Sequence, residues 1–263
     1  YWSHIIQNLN EENMGSSPAD PVMVVQAMGR KIGYIPAAAR LADPKREMPL
    51  QIYLAESVLS LEEMADNIND QLNKEGRCMV VVSEGFNVGD LGEVKDSFGH
   101  TSFGSSEQSV FQIIVNYLNK KGFQLRGKAR GQVMGTDQRD TMIYASTVDL
   151  DEAYKVGQKA VEIALNDGNG WMATILREPG LIYNVKFDKV PLEKVALSER
   201  SFPSKWISKS RTDVTDEFLT YVKPLVGEDW VSVPLVNGIQ RFTRFKRIFE
   251  PKKLPDYIPQ AYK

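Results

Sequence analysis

The sequence predicts an α/β fold with mainly parallel sheets and helices on both faces. Two short apolar runs, Val22 to Val25 and Cys78 to Val82, have the uninterrupted hydrophobic character of strands buried on both faces. Segments with helical periodicity alternate with such runs along the 263 residues. This alternation is typical of βαβ units, in which consecutive strands are parallel and the helices cover the sheet.

The composition excludes several classes of function. Hydrophobic residues make up 42% and charged residues 25%, and the formal net charge of −2 gives no general basic surface for nucleic acid. No apolar run reaches the length of a membrane span, and no signal peptide is visible. The lone cysteine, Cys78, lies in an apolar run, which predicts a buried thiol in a reducing compartment. We therefore expect a cytoplasmic protein with neither a nucleic-acid nor a membrane partner.

The first apolar run ends in a turn that is suited to a ligand. Val22 to Val25 leads into Met28-Gly29-Arg30, and Lys31 to Leu41 resumes at helical spacing. A strand that enters a glycine turn and a helix places the turn at the carboxyl edge of the sheet, where α/β proteins bind ligands. Gly29 would let the backbone approach a ligand, and the guanidinium of Arg30 suits phosphate or carboxylate. A solvated arginine after an ordinary βα turn fits the same residues, and the turn taken alone favours that interpretation.

Further elements are predicted on either side of this turn. The first 20 residues lack an initiator methionine, look like a chain entered partway along, and predict one or two amphipathic helical turns. Gln51 to Leu54 is a candidate strand. Ser60 and Glu63 form a capping box that opens a helix, and Gly76 ends it. The apolar face of that helix consists of Leu61, Met64, Ile68 and Leu72.

The second apolar run also ends in polar residues, Ser83-Glu84-Gly85. Glu84 could accept hydrogen bonds from sugar hydroxyls or lie as an exposed carboxylate in a loop, and its spacing fits both interpretations equally. Residues 85–106 are glycine-rich and lack periodicity. They predict a surface loop near a site or a mobile insertion.

The chain beyond this loop continues the alternation of strands and helices. The predicted elements are a helix capped by Ser106 and ended by Gly122, a strand over Gln124 to Met134, a helix capped by Asp149 and Glu152 that runs to about Asn166, a hairpin of Trp171 to Leu176 and Tyr183 to Phe187, and a helix near Asp216 to Val222. The apolar faces of the two longer helices are Val110, Ile113, Ile114 and Tyr117, and then Ala153, Val156, Ala160 and Ile163.

Several arginines fall near predicted strand ends. Arg130 and Arg139, together with Arg30, could converge on a phosphate monoester, because bidentate charge-assisted hydrogen bonds are strong. Arg126 and Lys128 are expected on a solvated strand face instead.

Two other partial matches to nucleotide-binding motifs are rejected. Gly122 to Ala129 nearly matches a phosphate-binding P-loop, and Gly168 to Ala173 nearly matches a dinucleotide fingerprint, but both follow a helix where the motif requires a strand. His4 and His100 are too isolated for a metal cluster, so no metal ligands are predicted in this chain.

The order of three motifs resembles the phosphofructokinase family, and together they frame about the first 165 residues. The family carries a strand ending in Met-Gly-Arg, a strand ending in Glu-Gly, and an Arg-x5-[His or Tyr]-x2-Arg segment that leads into a helix. Their counterparts here are Val24 to Arg30, Val80 to Gly85, and Ala129 to Arg139. The sequence looks closer to the divergent bacterial members, which include pyrophosphate users, than to the compact ATP-dependent type.

The resemblance implies a role for each matching residue. Met28 and Gly29 would line the fructose 6-phosphate site, and Arg30 would stabilise the phosphoryl group in flight. Glu84 and Arg139 would hold the sugar hydroxyls. Arg130 would reach the 6-phosphate in this or a neighbouring subunit's site.

Two departures from the family pattern concern phosphate binding. Thr136, a weaker phosphate ligand, replaces the His or Tyr of the third motif, and Pro21 stands where bacterial members place an arginine across the subunit interface.

The family's donor half has no counterpart in this sequence. The resemblance therefore implies the acceptor half of a glycolytic 6-phosphofructokinase, inactive alone, in which residues 1–137 form the sugar-phosphate domain, 138–190 return to the donor domain and 191–263 form an irregular and helical extension. Mg²⁺, with ATP or pyrophosphate, is expected on the donor side. A homo-oligomer is also expected. The alternative is a non-catalytic sugar-phosphate-binding or regulatory subunit.

Overall fold

The computed structural model describes residues 1–89, 94–95, 101–102 and 109–249, and positions 251, 253, 255 and 258 beyond them. The chain divides into two compact units, Tyr1–Val231 and Ser232–Lys263. The predicted division at residues 137 and 190 refers to the two halves of a complete family member and stays a prediction.

A four-stranded parallel sheet lies at the centre of the first unit. Its strands are β1 (Val22–Ala27), β2 (Leu50–Tyr53), β3 (Cys78–Ser83) and β6 (Ala129–Val133), in the order β2-β3-β1-β6. The register pairs Val22 of β1 with Cys78 and with Ala129. Every residue of β1, β2 and β3 is buried, as expected for a parallel sheet covered on both faces.

Helices cover both faces of this sheet, which confirms the predicted α/β class. One face packs against α1 (Trp2–Ser16), the short α2 (Tyr34–Ala37) with its 3₁₀ continuation Ala38–Ala42, and α7 (Asp216–Val222). The other face packs against α3 (Leu61–Glu75) and α4 (Val110–Lys121). The side chains of β1 alternate between the two cores, with Met23 and Val25 in the first and Val22 and Val24 in the second.

The two helices of the second face begin and end at recognisable signals. In α3, Ser60 Oγ accepts a hydrogen bond from the Glu63 amide at 3.1 Å, and the Glu63 carboxylate accepts one from the Ser60 amide at 2.9 Å, which confirms the capping box. Gly76 ends α3 with a left-handed φ of +74°, and Gly122 ends α4. Ser109 is the N-cap residue of α4, and the predicted cap, Ser106, lies outside the described residues.

The buried face of α4 differs from the predicted one. Val110 and Ile114 are buried as predicted, but Val115 and Leu118 complete the face, and Ile113 and Tyr117 are only half-buried. Most of the predicted loop over residues 85–106 lies outside the described residues. Within it, β4 (Val94–Lys95) pairs antiparallel with β5 (Thr101–Ser102).

A helix and a hairpin follow the sheet. Helix α5 (Thr147–Asn166) packs against β7 (Trp171–Arg177) and β8 (Val185–Pro191), which form the predicted antiparallel hairpin. The predicted cap was wrong: Ser146 is the N-cap residue, and its Oγ accepts from the Asp149 amide at 3.2 Å. Of the predicted apolar face only Ile163 is buried, whereas Ala153 and Ala160 are exposed. A short helix, α6 (Leu192–Val195), follows β8.

The segment after α6 packs into the core of the first unit. It contains the 3₁₀ turn Ser204–Trp206, the helix α7 at its predicted bounds, and the 3₁₀ turn Lys223–Val226. Phe202 and Phe218 are buried. Asp213 accepts a hydrogen bond from Nε of the buried Arg40 at 2.8 Å, so an ion pair ties this segment to the 3₁₀ turn after α2.

Four predicted elements have different bounds in the structure. The second strand of the hairpin, predicted over Tyr183 to Phe187, covers Val185–Pro191. Helix α1 is far longer than one or two turns, because Asn10 and Asn13 are buried on its core face and obscure the apolar pattern. The helix predicted from Lys31 begins at Tyr34 and tightens into a 3₁₀ turn at Ala38. Strand β6 begins five residues after the predicted start and ends one residue before the predicted end, because only Ala129–Val133 pairs with β1. No helix within the described ranges is long and apolar enough to cross a membrane.

Candidate functional site

The structure brings the first two predicted edges into direct contact. The turn Met28-Gly29-Arg30 follows β1, and Glu84 follows the adjacent strand β3. Glu84 Oε1 accepts hydrogen bonds from the backbone amides of Gly29, at 3.0 Å, and of Arg30, at 2.7 Å. Hydrogen bonds to a carboxylate are the stronger kind, so this oxygen fixes the two amides in position. The carboxyl edge of the sheet thus has a turn held by a neighbouring strand.

Ser83 and Gly85, the two neighbours of Glu84, also hold the turn in place. Ser83 Oγ donates to the backbone carbonyl oxygen of Arg30 at 2.9 Å. A Cβ placed on Gly85 would lie 2.3 Å from that same oxygen, closer than any real contact. Position 85 therefore requires glycine, since a larger residue would displace the backbone of Arg30. We call Ser83, Glu84 and Gly85 the clamp.

The clamp supports an unfavourable backbone conformation. Gly29 has a φ of +145° and Arg30 a φ of +54°, both in the region that side-chain-bearing residues avoid. For a non-glycine residue this conformation costs about 1–2 kcal/mol. Strain of this kind persists where surrounding contacts enforce it, and it concentrates at functional sites. Here the clamp fixes the backbone of Arg30, and the exposed side chain of Arg30 lies at the edge of the sheet.

The third predicted segment reaches the same edge. Gly135 follows β6, and a Cβ on it would lie 2.6 Å from the amide nitrogen of Met28, so the two backbones are in close contact. Thr136 is the N-cap residue of the 3₁₀ turn Asp137–Arg139, and both Thr136 and Arg139 are exposed. The turn after β1 and the turn after β6 therefore lie side by side, with a cation on each.

Arg130 is not at this edge, and its predicted position at a strand end beside Glu84 was wrong. The register places Arg130 beside Met23, the second residue of β1. Because a strand rises about 3.3 Å per residue, Arg130 lies about 16 Å along the sheet from the Met28 turn. Its guanidinium pairs with Glu12 and donates to Ser16 Oγ at 3.1 Å, both on α1. Within one copy of the chain, Arg130 therefore cannot act with Arg30 and Arg139.

A cavity of ≈ 710 Å³ lies beside Arg139. Its walls include the rings of Tyr144 and Trp230, which flank His4 with centroid distances of 5.1 and 4.7 Å. Burial lowers the pKa of His4 and raises the pKa of Asp149, another wall residue. The lining contains Arg139 but not Met28, Gly29, Arg30 or Glu84. Aromatic and acidic walls suit an anionic ligand poorly.

Sequence reasoning missed two residues of this arrangement. Ser83 holds the carbonyl of Arg30, and Gly135 permits the contact between two turns. The available signals were that each directly precedes a predicted site residue and that Ser83 ends β3, whereas Gly135 lies two residues after β6. Among the described residues, no group of three or more His, Cys, Asp or Glu side chains could hold a metal ion.

Comparisons with known proteins agree with the motifs. A family model described as phosphofructokinase matches residues 3–164. The pyrophosphate–fructose 6-phosphate 1-phosphotransferase of Methylococcus capsulatus is 31% identical over 240 residues, which are 89% of this chain and 55% of the relative. The enzyme of the same name from Halomonas elongata is 30% identical over 244 residues, 90% of this chain and 56% of the relative. The chain thus spans about half the length of these relatives.

Solved structures show the same relation. The crystal structure of a pyrophosphate-dependent phosphofructokinase from Nitrosospira multiformis has a TM-score of 0.79 at 28% identity, and the alignment covers 98% of this chain and 62% of that one. A corresponding structure from Marinobacter aquaeolei has a TM-score of 0.75 at 25% identity, over 97% of this chain and 61% of the other. In each case a large part of the solved chain has no counterpart here.

Proposed function

The chain belongs to the phosphofructokinase family, and from that membership we propose that it forms the sugar-phosphate-binding half of a 6-phosphofructokinase. The complete enzyme would transfer a phosphoryl group to the 1-hydroxyl of fructose 6-phosphate, giving fructose 1,6-bisphosphate in glycolysis. The relatives are named for pyrophosphate, which we therefore propose as the donor in preference to ATP. A cytoplasmic homo-oligomer is part of the same proposal.

The observation that supports this function best is the clamped turn. Phosphoryl transfer is catalysed mainly by positioning and by stabilising the charge on the transferring group. A guanidinium is suited to that charge, and the clamp restricts the backbone that carries Arg30, so little ordering remains to be done when substrate binds. We assign to Arg30 the stabilisation of the phosphoryl group in the transition state, with Met28 and Gly29 lining the sugar site.

Glu84 would have two roles in this site. Oε1 accepts from the two turn amides, so Glu84 positions Arg30, and we assign Oε2 to a hydroxyl of the sugar. Arg139 and Thr136 are exposed on the adjacent turn, where Arg139 would hold the sugar hydroxyls and also reach the 6-phosphate, with Thr136 as a weaker phosphate ligand. Arg130 would reach a 6-phosphate only in a neighbouring subunit, because within its own copy it lies at the opposite part of the sheet.

The other half of the enzyme would supply the remaining chemistry. In the transfer, the sugar oxygen bonds to phosphorus, the bond from phosphorus to the leaving phosphate breaks, and a base takes the hydroxyl proton. We assign that base, the donor-binding residues and the Mg²⁺ ligands to the half that this chain lacks. Mg²⁺ bound there would neutralise negative charge on the donor phosphates.

A second candidate is a non-catalytic sugar-phosphate-binding or regulatory subunit. The coding sequence upstream of Tyr1 separates the two functions: a donor half in frame supports the enzyme, and a start codon close to Tyr1 supports the subunit.

Calorimetry on the 263-residue chain tests the sugar-phosphate site common to both candidates. Fructose 6-phosphate should bind at least about tenfold more tightly than fructose, since a charge-assisted hydrogen bond is worth about 1.5–3 kcal/mol. Arg139→Ala should reduce this preference. Arg126→Ala, which removes an exposed arginine just outside β6, should leave it unchanged. Equal binding of the two sugars would contradict the site.

A further inference from the structure

A second carboxylate, that of Glu56, holds the far end of the turn that carries Arg30. Glu56 lies in the 3₁₀ turn Ala55–Ser57, which follows β2 at the carboxyl edge of the central sheet. Its Oε1 accepts a hydrogen bond from the backbone amide of Gly33 at 3.1 Å. Gly33 is the N-cap residue of α2, so Glu56 contacts the chain at the point where the turn ends and the helix begins.

Glu84 and Glu56 thus hold the two ends of one hydrogen-bonded turn. Glu84 accepts from the two amides at its start. The Ile32 amide donates to the Gly29 carbonyl at 3.1 Å, and the next amide along the chain is the one that donates to Glu56. Arg30 lies between the two ends with a left-handed φ of +54°, a conformation that persists only where surrounding contacts enforce it.

The carboxylate of Glu56 packs closely against the end of the turn. A Cβ on Gly33 would lie 2.9 Å from Glu56 Oε2 and 3.0 Å from Cδ1 of the fully buried Leu54. The backbone of Gly33 therefore lies against both side chains. Oε2 is shielded from solvent and has no hydrogen-bond partner among the described residues. Burying a polar oxygen in this way costs stability, so its retention calls for a reason, and strain at a functional site is one such reason.

The same oxygen of Glu56 also contacts the segment after α6. The Phe202 amide donates to Glu56 Oε1 at 3.1 Å, and the side chain of Phe202 is buried in the core. Arg211, further along that segment, donates to the Val58 carbonyl at 2.7 Å, so the backbone after β2 is held at a second point. A group that positions another must itself be fixed by its surroundings, and Glu56 meets this condition.

We propose that Glu56 is a positioning residue for Arg30. By holding the Gly33 amide, Glu56 keeps the turn closed and the guanidinium of Arg30 in place for the phosphoryl group, without itself touching substrate. Displacing a catalytic group by about 1 Å can slow a reaction about 100-fold, so a second anchor on a strained turn affects the rate directly. This assignment rests on the role of Arg30 in the proposed function, whereas the contact between Glu56 and the turn does not.

Limited proteolysis with trypsin tests the anchor on the 263-residue chain, without any need for activity. Trypsin cleaves after Arg30 only when the turn opens, so the cleavage rate reports the opening equilibrium. Glu56→Ala removes the acceptor for the Gly33 amide and should raise this rate at least about tenfold. Glu56→Gln keeps an acceptor oxygen and should retain most of the protection. The matched control, Glu47→Ala, removes an exposed carboxylate before β2 and should leave the rate unchanged.

Cleavage at a second position separates local opening from global unfolding. Arg77 directly precedes β3, whose residues are all buried, so cleavage after Arg77 requires the central sheet to open. In Glu56→Ala the rate at this position should rise far less than the rate after Arg30.

Kinetics of the chain joined to a donor half test the link to catalysis. Glu56→Ala should lower kcat about tenfold or more with a much smaller change in KM, because the loss falls on an interaction of the transition state. In the Arg30→Ala background the same change should have no further effect on kcat, since the group that Glu56 positions is already absent. Glu56→Gln should keep most of the activity.

Three results would overturn the proposal. They are cleavage after Arg30 that is unchanged in Glu56→Ala, cleavage that rises equally after Arg77, and effects on kcat that add in the double variant. A wild type that binds no fructose 6-phosphate would instead contradict the proposed function, and with it the catalytic part of the assignment. Proteolysis would still decide the contact between Glu56 and the turn, so the two failures are distinguishable.

Discussion

The central sheet and the α5–β7–β8 region bury their apolar residues to very different degrees. All residues of β1 and β3 are buried between helices, whereas Trp171 and Leu176 of β7 are 36% and 47% exposed. Tyr154 and Leu165 of α5 are 68% and 79% exposed. Both regions read as ordinary strands and helices in the sequence. An apolar pattern therefore specifies a helix or strand, while the burial of that element depends on whether a covering layer is present.

The relatives indicate what that layer would be. The alignments cover only 55% and 62% of two of these longer proteins. If the other half of the enzyme packs on residues 138–190, apolar residues there should be uncovered in this chain. We propose that the complementary half covers this region in the complete enzyme. Burying a large apolar side chain stabilises by about 1.5–3 kcal/mol, so the uncovered residues together forgo energy comparable with a domain's whole stability.

The largest expected difference between the regions is in core truncation. Ile68→Ala removes a fully buried side chain from α3 and should lower the free energy of unfolding by about 2–5 kcal/mol, because it leaves a cavity. The same change at Ile175, which is 41% exposed, should cost less than about 1 kcal/mol because little apolar surface returns to water. Urea unfolding measures the free energy of unfolding of both variants. Similar losses would show that the two regions do not differ in how much their apolar side chains contribute to stability.

The next largest effect concerns catalysis at the edge of the central sheet. In this chain joined to a donor half, Arg30→Ala should lower kcat by roughly 10²–10³, with a much smaller change in KM, because its interaction forms mainly in the transition state. Lys128→Ala, which removes an exposed cation before β6, should leave both constants unchanged. Steady-state kinetics would reveal a ground-state phosphate ligand instead if KM rose sharply while kcat held.

Glycine substitutions should act oppositely in the two regions. Gly85→Ala places a Cβ 2.3 Å from the Arg30 carbonyl and should destabilise by about 1–3 kcal/mol, and it should also weaken fructose 6-phosphate binding. Gly157→Ala lies inside α5 with nothing within 4 Å and should stabilise by about 0.5–1 kcal/mol. Thermal unfolding gives both signs, and a neutral Gly85→Ala variant would refute the clamp.

The smallest expected effect is a change in the amide hydrogen exchange of α5 and β7. Amide hydrogen exchange over Asp149 to Leu176 should slow at least about tenfold when the chain is joined to a donor half, since cover raises the free energy of local opening. The amides of β1 and β3, already buried, should change little. Equal protection of α5 and β7 with and without the other half would show that their exposed face needs no cover.

The predictable part of the fold consisted of local signals. Residues within a few positions of each other predict the capping box at Ser60 and Glu63, the end of α3 at Gly76, the bounds of α7 and the two buried strands. The contact between Glu84 and the Met28-Gly29-Arg30 turn could also be predicted, because parallel strands end at the same edge of a sheet. Buried asparagines on α1 defeated the same reasoning, since polar residues on a core face mimic a surface.

The α/β class, the family motifs and the residue types at the sheet edge follow from the sequence alone. The folded structure decided that Arg130 pairs with Glu12 far from that edge, because strand register is a property of pairing between segments. It likewise decided that Arg40 and Asp213, which lie 173 positions apart, form an ion pair. Long-range pairing depends on how whole elements pack, and no local pattern of residues encodes it.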